Sequence, residues 1–372
     1  MLKSSKMVLS AGEKHWLPWF GKTGKLAMRW ATSRNLNRYH AIEQTFESFA
    51  QTRVRILINW AEQQWTYLDG LARELALSWP QPERDALLHC RERAEDFSEL
   101  CVVSVDGRVL RSTHTSREGS AMPSAQAVAA GLKGRFLHGP YRDPVTRSLP
   151  PSSSRFHDAV TLMFYHPITV DGAVVGLVCG RVPNDVLGDL IQREAGHIFH
   201  ESGDNYLFMV KSAFDTSIHQ GTALSRSRFE DATFTHGDNL KDGVRTDFGV
   251  VRVKEHTELE LIFNDPATGQ LHPGVRETIR HGENLFVTYP GYSDYRHIPV
   301  IGKGITFQLP GSPDTWGMMC EADLEEVYRY RSIAYKLQKL YWLVVILAWG
   351  LDRKSTRLNS SHSRASRMPS SA

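Results

Sequence analysis

The residues whose types invite chemistry are few in this chain. Four cysteines, Cys90, Cys101, Cys179 and Cys320, have no C-x-x-C spacing; Cys101 and Cys179 lie inside apolar stretches, so they read as reduced core thiols. His197 and His200 in HIFH stand at i, i+3, a spacing that chelates a metal on a helix, yet no third ligand is placed by sequence and a surface pair is the simpler reading. Gly21 to Lys25 (GKTGK) misses the G-x-x-x-x-G-K-[ST] spacing of a phosphate loop. Tyr289, Tyr292, Tyr295, Arg296 and His297 (YPGYSDYRH) either line a second pocket or form a loop over a sheet. Nucleophile elbow, zinc-hydrolase helix and dinucleotide fingerprint are missing, so no acid, base and nucleophile share a motif. An enzyme is not expected, nor is a metal or other cofactor.

Composition bounds what remains. A length of 372 residues suggests two or three domains, and 41% hydrophobic residues suffice for real cores. Lys+Arg 44 against Asp+Glu 41 gives a net charge of +3, which speaks against a general nucleic-acid binder.

The stretch from Gly134 to Arg181 organises the rest. It runs through Tyr141 and Asp143, a loop of prolines and serines, and two strands, Thr161 to Ile168 and Ala173 to Val182, with Asp171-Gly172 as a hairpin turn between them. A shorter pair, Val102 to Val105 and Arg108 to Ser112, turns at Asp106-Gly107, so one sheet of four or five strands fits the span. Alternation puts Val175, Leu177, Cys179 and Arg181 on one face and Gly176 and Gly180 on the other, where a helix approaches closely.

Residues 1–35 are basic and mixed, with no apolar run long enough for a signal peptide or a spanning helix. Residues 36–80 read as one helix of about 60 Å, a stalk or spine, because apolar residues from Ile42 to Leu75 recur at three and four. Residues 81–199 form the first α/β module. Strand signals begin again in 200–325, at Asp204 to Lys211, Phe248 to Val253, Thr257 to Phe263, Glu283 to Tyr289, Ile298 to Leu309 and Trp316 to Glu321, with a polar insertion at Ser225 to Thr246. Residues 326–351 form an exit helix; its last twelve, Leu340 to Leu351, are uncharged and read as the first half of a transmembrane helix, with a buried core helix as the alternative. Residues 352–372 look like the translation of a sequencing adapter, so the natural chain is expected to be cut near Leu351.

In this order the elements resemble the double Cache sensor regions of bacterial chemoreceptors and of related histidine kinases and diguanylate cyclases. The resemblance is carried by Phe97 to Thr113, Gly139 to Thr146, Phe164 to Val182, Gly203 to Val210 and Ile298 to Tyr328, and covers roughly 36–351. It implies an α+β fold: a long N-terminal helix, two PAS-like antiparallel-sheet modules in series, then the start of a transmembrane helix. It also implies a ligand-sensing region of a methyl-accepting chemotaxis receptor, with a cyclase or kinase receptor, or a soluble enzyme or adhesin, as alternatives. The expected partners are a small-molecule ligand, a second copy through the long helix, the membrane, and downstream signalling proteins. The expected location is the bacterial inner membrane with the sensor outside the cytoplasm, which needs a start upstream of Met1; sensing from the cytoplasm is the other reading.

In the amino-acid-binding branch of that family the first module holds the ligand. Tyr141 and Asp143 match its Tyr-x-Asp pair, whereas Arg135 to His138 lacks its Arg-x-Trp-Tyr element and Arg181 stands where it has an Asp. The implied ligand set is Tyr141, Asp143, Arg181, Arg135, Arg155 and Asp158. A guanidinium at that position attracts carboxylate or phosphate, so a small anion is expected with Arg181 as counter-ion. The alternative is a structural pair of Arg181 with Asp143 or Asp158.

Overall fold

Helix α1, Tyr39–Leu77, runs 39 residues. Phe46, Ala50, Val54, Leu57, Ala61, Trp65, Leu68, Leu71 and Leu75, three or four apart, are buried along it and bind it to two sheets placed end to end. The computed structural model describes residues 10, 13, 25–33, 38–154, 157–194, 198–226, 244–246, 249–251, 258–266, 268–328 and 337–354. Arg155, His197 and most of the expected polar insertion lie outside the described residues.

After helix α2 (Arg84–Arg93), strands β1 (Glu99–Ser104) and β2 (Val109–Ser112) lead to helix α3 (Ala125–Gly131) and strand β3 (Phe136–Arg142). The one-turn helix α4 (Pro144–Ser148), β4 (Val160–Val170), β5 (Ala173–Pro183) and helix α5 (Asp185–Asp189) follow. The sheet is antiparallel in the order β2-β1-β5-β4-β3. Leu162, Phe164, Val178 and Val182 face α1, while Cys101, Met163, Tyr165, Leu177 and Cys179 form a separate core on the outer face. The glycines follow the expected alternation: a Cβ on Gly180 would lie 2.3 Å from the Phe97 ring, and one on Gly176 would lie 2.9 Å from Trp79.

The second module contains β6 (Asp204–Lys211), helix α6 (Pro273–His281), β7 (Glu283–Phe286), β8 (Tyr292–Ser293), β9 (Pro299–Phe307), β10 (Thr315–Asp323) and the short helix α7 (Leu324–Val327). Its order is β8-β9-β10-β6, with β7 also on β9. In both sheets the first strand therefore lies beside the last. Two expected strands do not join this sheet. Residues 258–260 form a turn flanked by an isolated Thr222–Ile262 bridge. Gly249–Val251 pairs instead with Val244–Thr246 in a ribbon of its own.

The modules meet at Trp65. Its indole Nε1 donates to the Pro310 carbonyl at 2.8 Å, and its ring lies 4.9 Å from Phe164 of β4. Beside it, the Leu137 N–H donates to the Gly311 carbonyl at 2.9 Å. Residues 337–354 are helical, with Leu340, Trp342, Ile346 and Trp349 exposed. Among the described residues no helix is long and apolar enough to cross a membrane.

Candidate functional site

Arg181 is fully buried on the outer face of β5. Its Nε donates to Glu99 Oε2 at 2.9 Å, across the β1–β5 register where the two residues are direct partners. Its Nη1 donates to Asp143 Oδ2 at 2.5 Å and to Thr146 Oγ1 at 2.8 Å. Glu99 also accepts from Ser112 Oγ at 2.8 Å and from Arg117 Nε at 3.2 Å. Asp143 is held because its other oxygen caps α4, accepting from the Val145 N–H at 3.0 Å. Burial pulls the Arg181 pKa down, but the Asp143 and Glu99 carboxylates outweigh it, so the guanidinium stays charged. Two cations and two carboxylates thus balance in a buried cluster, in which Arg181 makes the pair with Asp143 that the sequence left open as the structural alternative.

Four buried polar atoms in or near this cluster have no hydrogen-bond partner among the described residues: Arg181 Nη2, Arg117 Nη2, the Tyr165 hydroxyl and His138 Nδ1. Tyr165 stands one row from Arg181 on β4, opposite Cys179. His138 stacks on Tyr141 with ring centroids 4.0 Å apart, and the Tyr141 hydroxyl lies 3.5 Å from Asp143 Oδ2. A bulge in β3 between His138 and Tyr141 allows this stacking, since residues three apart on a regular strand face opposite ways. Burial pulls the His138 pKa down to about 4 and leaves the ring neutral, while burial pushes Tyr141 and Tyr165 up. On its other side Tyr141 lines a groove of about 360 Å³ between the modules, with Arg142, Asp215, His219 and Glu260. Arg142 and Glu260 pair across it at 3.1 Å.

The remaining predicted residues lie elsewhere. Arg135 points to the spine, 3.7 Å from Glu62 and with its guanidinium 5.9 Å from the Trp65 ring centroid, because it precedes β3 and escapes that strand's alternation. Asp158 accepts from the Val160 N–H at 2.7 Å and groups with Asp185 and Glu258, carboxylates close enough to share a metal ion. Arg226 already stands 2.6 Å from Asp185, so a cation is present there without a metal.

Sequence reasoning missed Glu99, and it missed a counterpart in the second module. Glu321 of β10 faces Asp204 of β6 in the register position that Arg181 and Glu99 occupy in the first sheet. Glu321 is buried and accepts from the Tyr292 hydroxyl at 2.7 Å. Burial, with Asp294 close by, pushes its pKa up to about 8, so it is largely protonated at neutral pH. The Tyr292, Tyr295 and Arg296 run noted in the sequence surrounds it: Tyr295 donates to Asp204 at 3.2 Å, and Arg296 pairs with Asp294 at 2.7 Å and Asp323 at 3.1 Å.

No family model matches this chain, and no curated protein does. Solved structures are similar at low identity. An extracellular ligand binding receptor from Desulfohalobium retbaense is 10% identical with a TM-score of 0.48, over 75% of this chain and 40% of that one. This chain thus spans less than half of that receptor. The ligand-binding domain of the Pseudomonas aeruginosa amino acid chemoreceptor PctB, in complex with L-Gln, is 14% identical with a TM-score of 0.44, over 80% of this chain and 98% of that one. The ligand-binding domain of the Pseudomonas fluorescens chemoreceptor CtaA, in complex with L-alanine, is 11% identical with a TM-score of 0.43, over 77% and 99%. These neighbours are ligand-binding receptors and chemoreceptor domains.

Proposed function

We propose that this chain is the ligand-sensing region of a bacterial membrane receptor of the chemotaxis type, and that a small acid binds against the outer face of its first sheet. What supports the reading is a set of buried groups without partners, Arg181 Nη2, Tyr165 Oη and His138 Nδ1. Each such group left unsatisfied costs about 1–3 kcal/mol, a cost that a hydrogen-bonding ligand relieves. The carboxylate is held through Arg181 Nη2 and the Tyr165 hydroxyl, while Asp143 and Glu99 keep the role of counter-ions. The groove beside Tyr141 is the way in.

Signalling follows as a shift between two settings of the first sheet on α1, passed to the second module at Trp65. The exposed apolar helix at 337–354 belongs to the membrane side of the same proposal, as do an extracytoplasmic sensor region and a second copy joined through α1.

Calorimetric titration with a panel of organic acids, amines and amino acids is expected to find a binding acid. Tyr165→Phe is expected to weaken it roughly 5–10-fold without lowering the melting temperature. A cationic or neutral ligand, or an acid indifferent to both Tyr165→Phe and Arg181→Ala, overturns the reading.

A further inference from the structure

We propose that Cys101 and Cys179 are a redox pair that closes to a cross-strand disulfide, joining β1 to β5 beneath the Arg181 cluster, when the chain folds under oxidising conditions. The pair is set by register. Cys101 and Cys179 are direct partners across the antiparallel β1–β5 ladder, both fully buried, both in the outer-face core. Directly opposed residues on such a ladder have Cβ atoms about 4.5–5.5 Å apart, and a disulfide needs about 3.5–4.5 Å, so closure asks for a shift of roughly 1 Å. The Cys101 thiol is close enough to push the Cys179 thiol up. Cys90 and Cys320 have no such arrangement: Cys90 lies on α2 against the Tyr67 carbonyl, and Cys320 on β10 faces the spine.

The same burial decides when the bond forms. Burial and the neighbouring Cys101 thiol push the Cys179 thiol well above its ordinary value, so in the folded chain Cys179 offers almost no thiolate, and both sulfurs are buried away from an oxidant. Oxidation therefore belongs to folding, before the outer face closes. One cysteine thiolate attacks a disulfide of the oxidant, a thiol–disulfide exchange carrier or oxidised glutathione, breaking that S–S bond and forming a mixed disulfide. The second thiolate then attacks the protein sulfur of the mixed disulfide, and the oxidant leaves as a thiolate. The cysteines lose two protons and two electrons, and the oxidant takes the electrons and ends as thiol. Once buried, the bond is also shielded from reductant. The proposal is independent of the ligand reading.

The test is refolding of the full chain in a glutathione redox buffer, followed by denaturation, alkylation and peptide mapping. The expected result is a Cys101–Cys179 linked peptide with Cys90 and Cys320 alkylated. The oxidised chain should melt about 5–15 °C above the reduced one, since the bond closes a long loop. That difference should vanish in the Cys101→Ser, Cys179→Ser double variant. Four alkylated cysteines after oxidative refolding, or a link to Cys90 or Cys320, overturns the proposal.

Discussion

Trp65 of the spine and Pro310 of the β9–β10 loop are joined by one hydrogen bond of 2.8 Å across the seam between the two modules. The indole also fills the space over Gly311, where a Cβ would lie 2.6 Å from its ring. Trp65→Phe removes the donor and part of the volume, and should cost about 1–3 kcal/mol. Urea unfolding followed separately in each module should then show two midpoints where the parent shows one. Coincident transitions in the variant would show that the seam is held by other contacts.

Arg181→Ala leaves the carboxylates of Glu99 and Asp143 buried without their shared cation. The expected loss is about 3–5 kcal/mol. Arg181→Lys keeps the charge but cannot reach Glu99, Asp143 and Thr146 from one planar group, so its urea midpoint should fall between the parent's and that of Arg181→Ala. Equal midpoints for all three proteins would mean that water enters the cluster.

Glu321 gives a pH dependence with a definite sign. Its folded-state pKa of about 8 stands above the ordinary 4.5, so the folded chain holds a proton that the unfolded chain releases. The resulting stability is complete below 4.5 and is lost as pH rises through 8. Buried His138 and His272, pulled down by burial to about 4 and about 3, work in the opposite direction but only up to their unfolded value near 6.5. From about pH 7 to 8 Glu321 therefore dominates, and stability should fall by up to about 1.4 kcal/mol per pH unit. Urea midpoints across this window should decline in the parent and flatten in Glu321→Gln.

Gly180→Ala tests the helix-side approach. The new methyl meets the Phe97 ring at 2.3 Å, and Phe97 is itself packed at 5.9 Å on Phe164, so neither ring moves freely. A loss of about 1–3 kcal/mol is expected. Denaturation of Gly180→Ala beside Gly172→Ala separates packing from turn strain, because a Cβ on Gly172 meets nothing within 4 Å.

Where periodicity and turn chemistry were strong, the sequence could be read. The apolar spacing from Phe46 to Leu75 marks α1, and Asp171-Gly172, at φ of 50° and 80°, makes the left-handed turn that its residue types favour. Helix α6 was not legible because PGVRETIRH is short and its apolar stripe is only Val275 and Ile279, too few to establish a period. It is positioned by small contacts, with Gly274 against the Tyr292 ring and Thr278 over Gly304. In the site, strand alternation found the face of Arg181 but not its company. A glutamate at the start of a strand reads as a solvent-facing end, and only the β1–β5 register reveals Glu99 beneath the guanidinium. Arg135 points to the spine for a related reason, since it precedes β3 and a strand boundary is not written in hydrophobic pattern.

The unbroken length of α1 would let it act as a lever about Trp65. About 28 Å of helix separates that residue from Phe46, so a tilt of about 3° at the seam displaces the far end by roughly 1.5 Å. Phe46 stacks on Phe199 at 5.4 Å, just ahead of β6. A movement too small to break a hydrogen bond in the first sheet would thus be geared up to one large enough to disturb an aromatic pair beside the second.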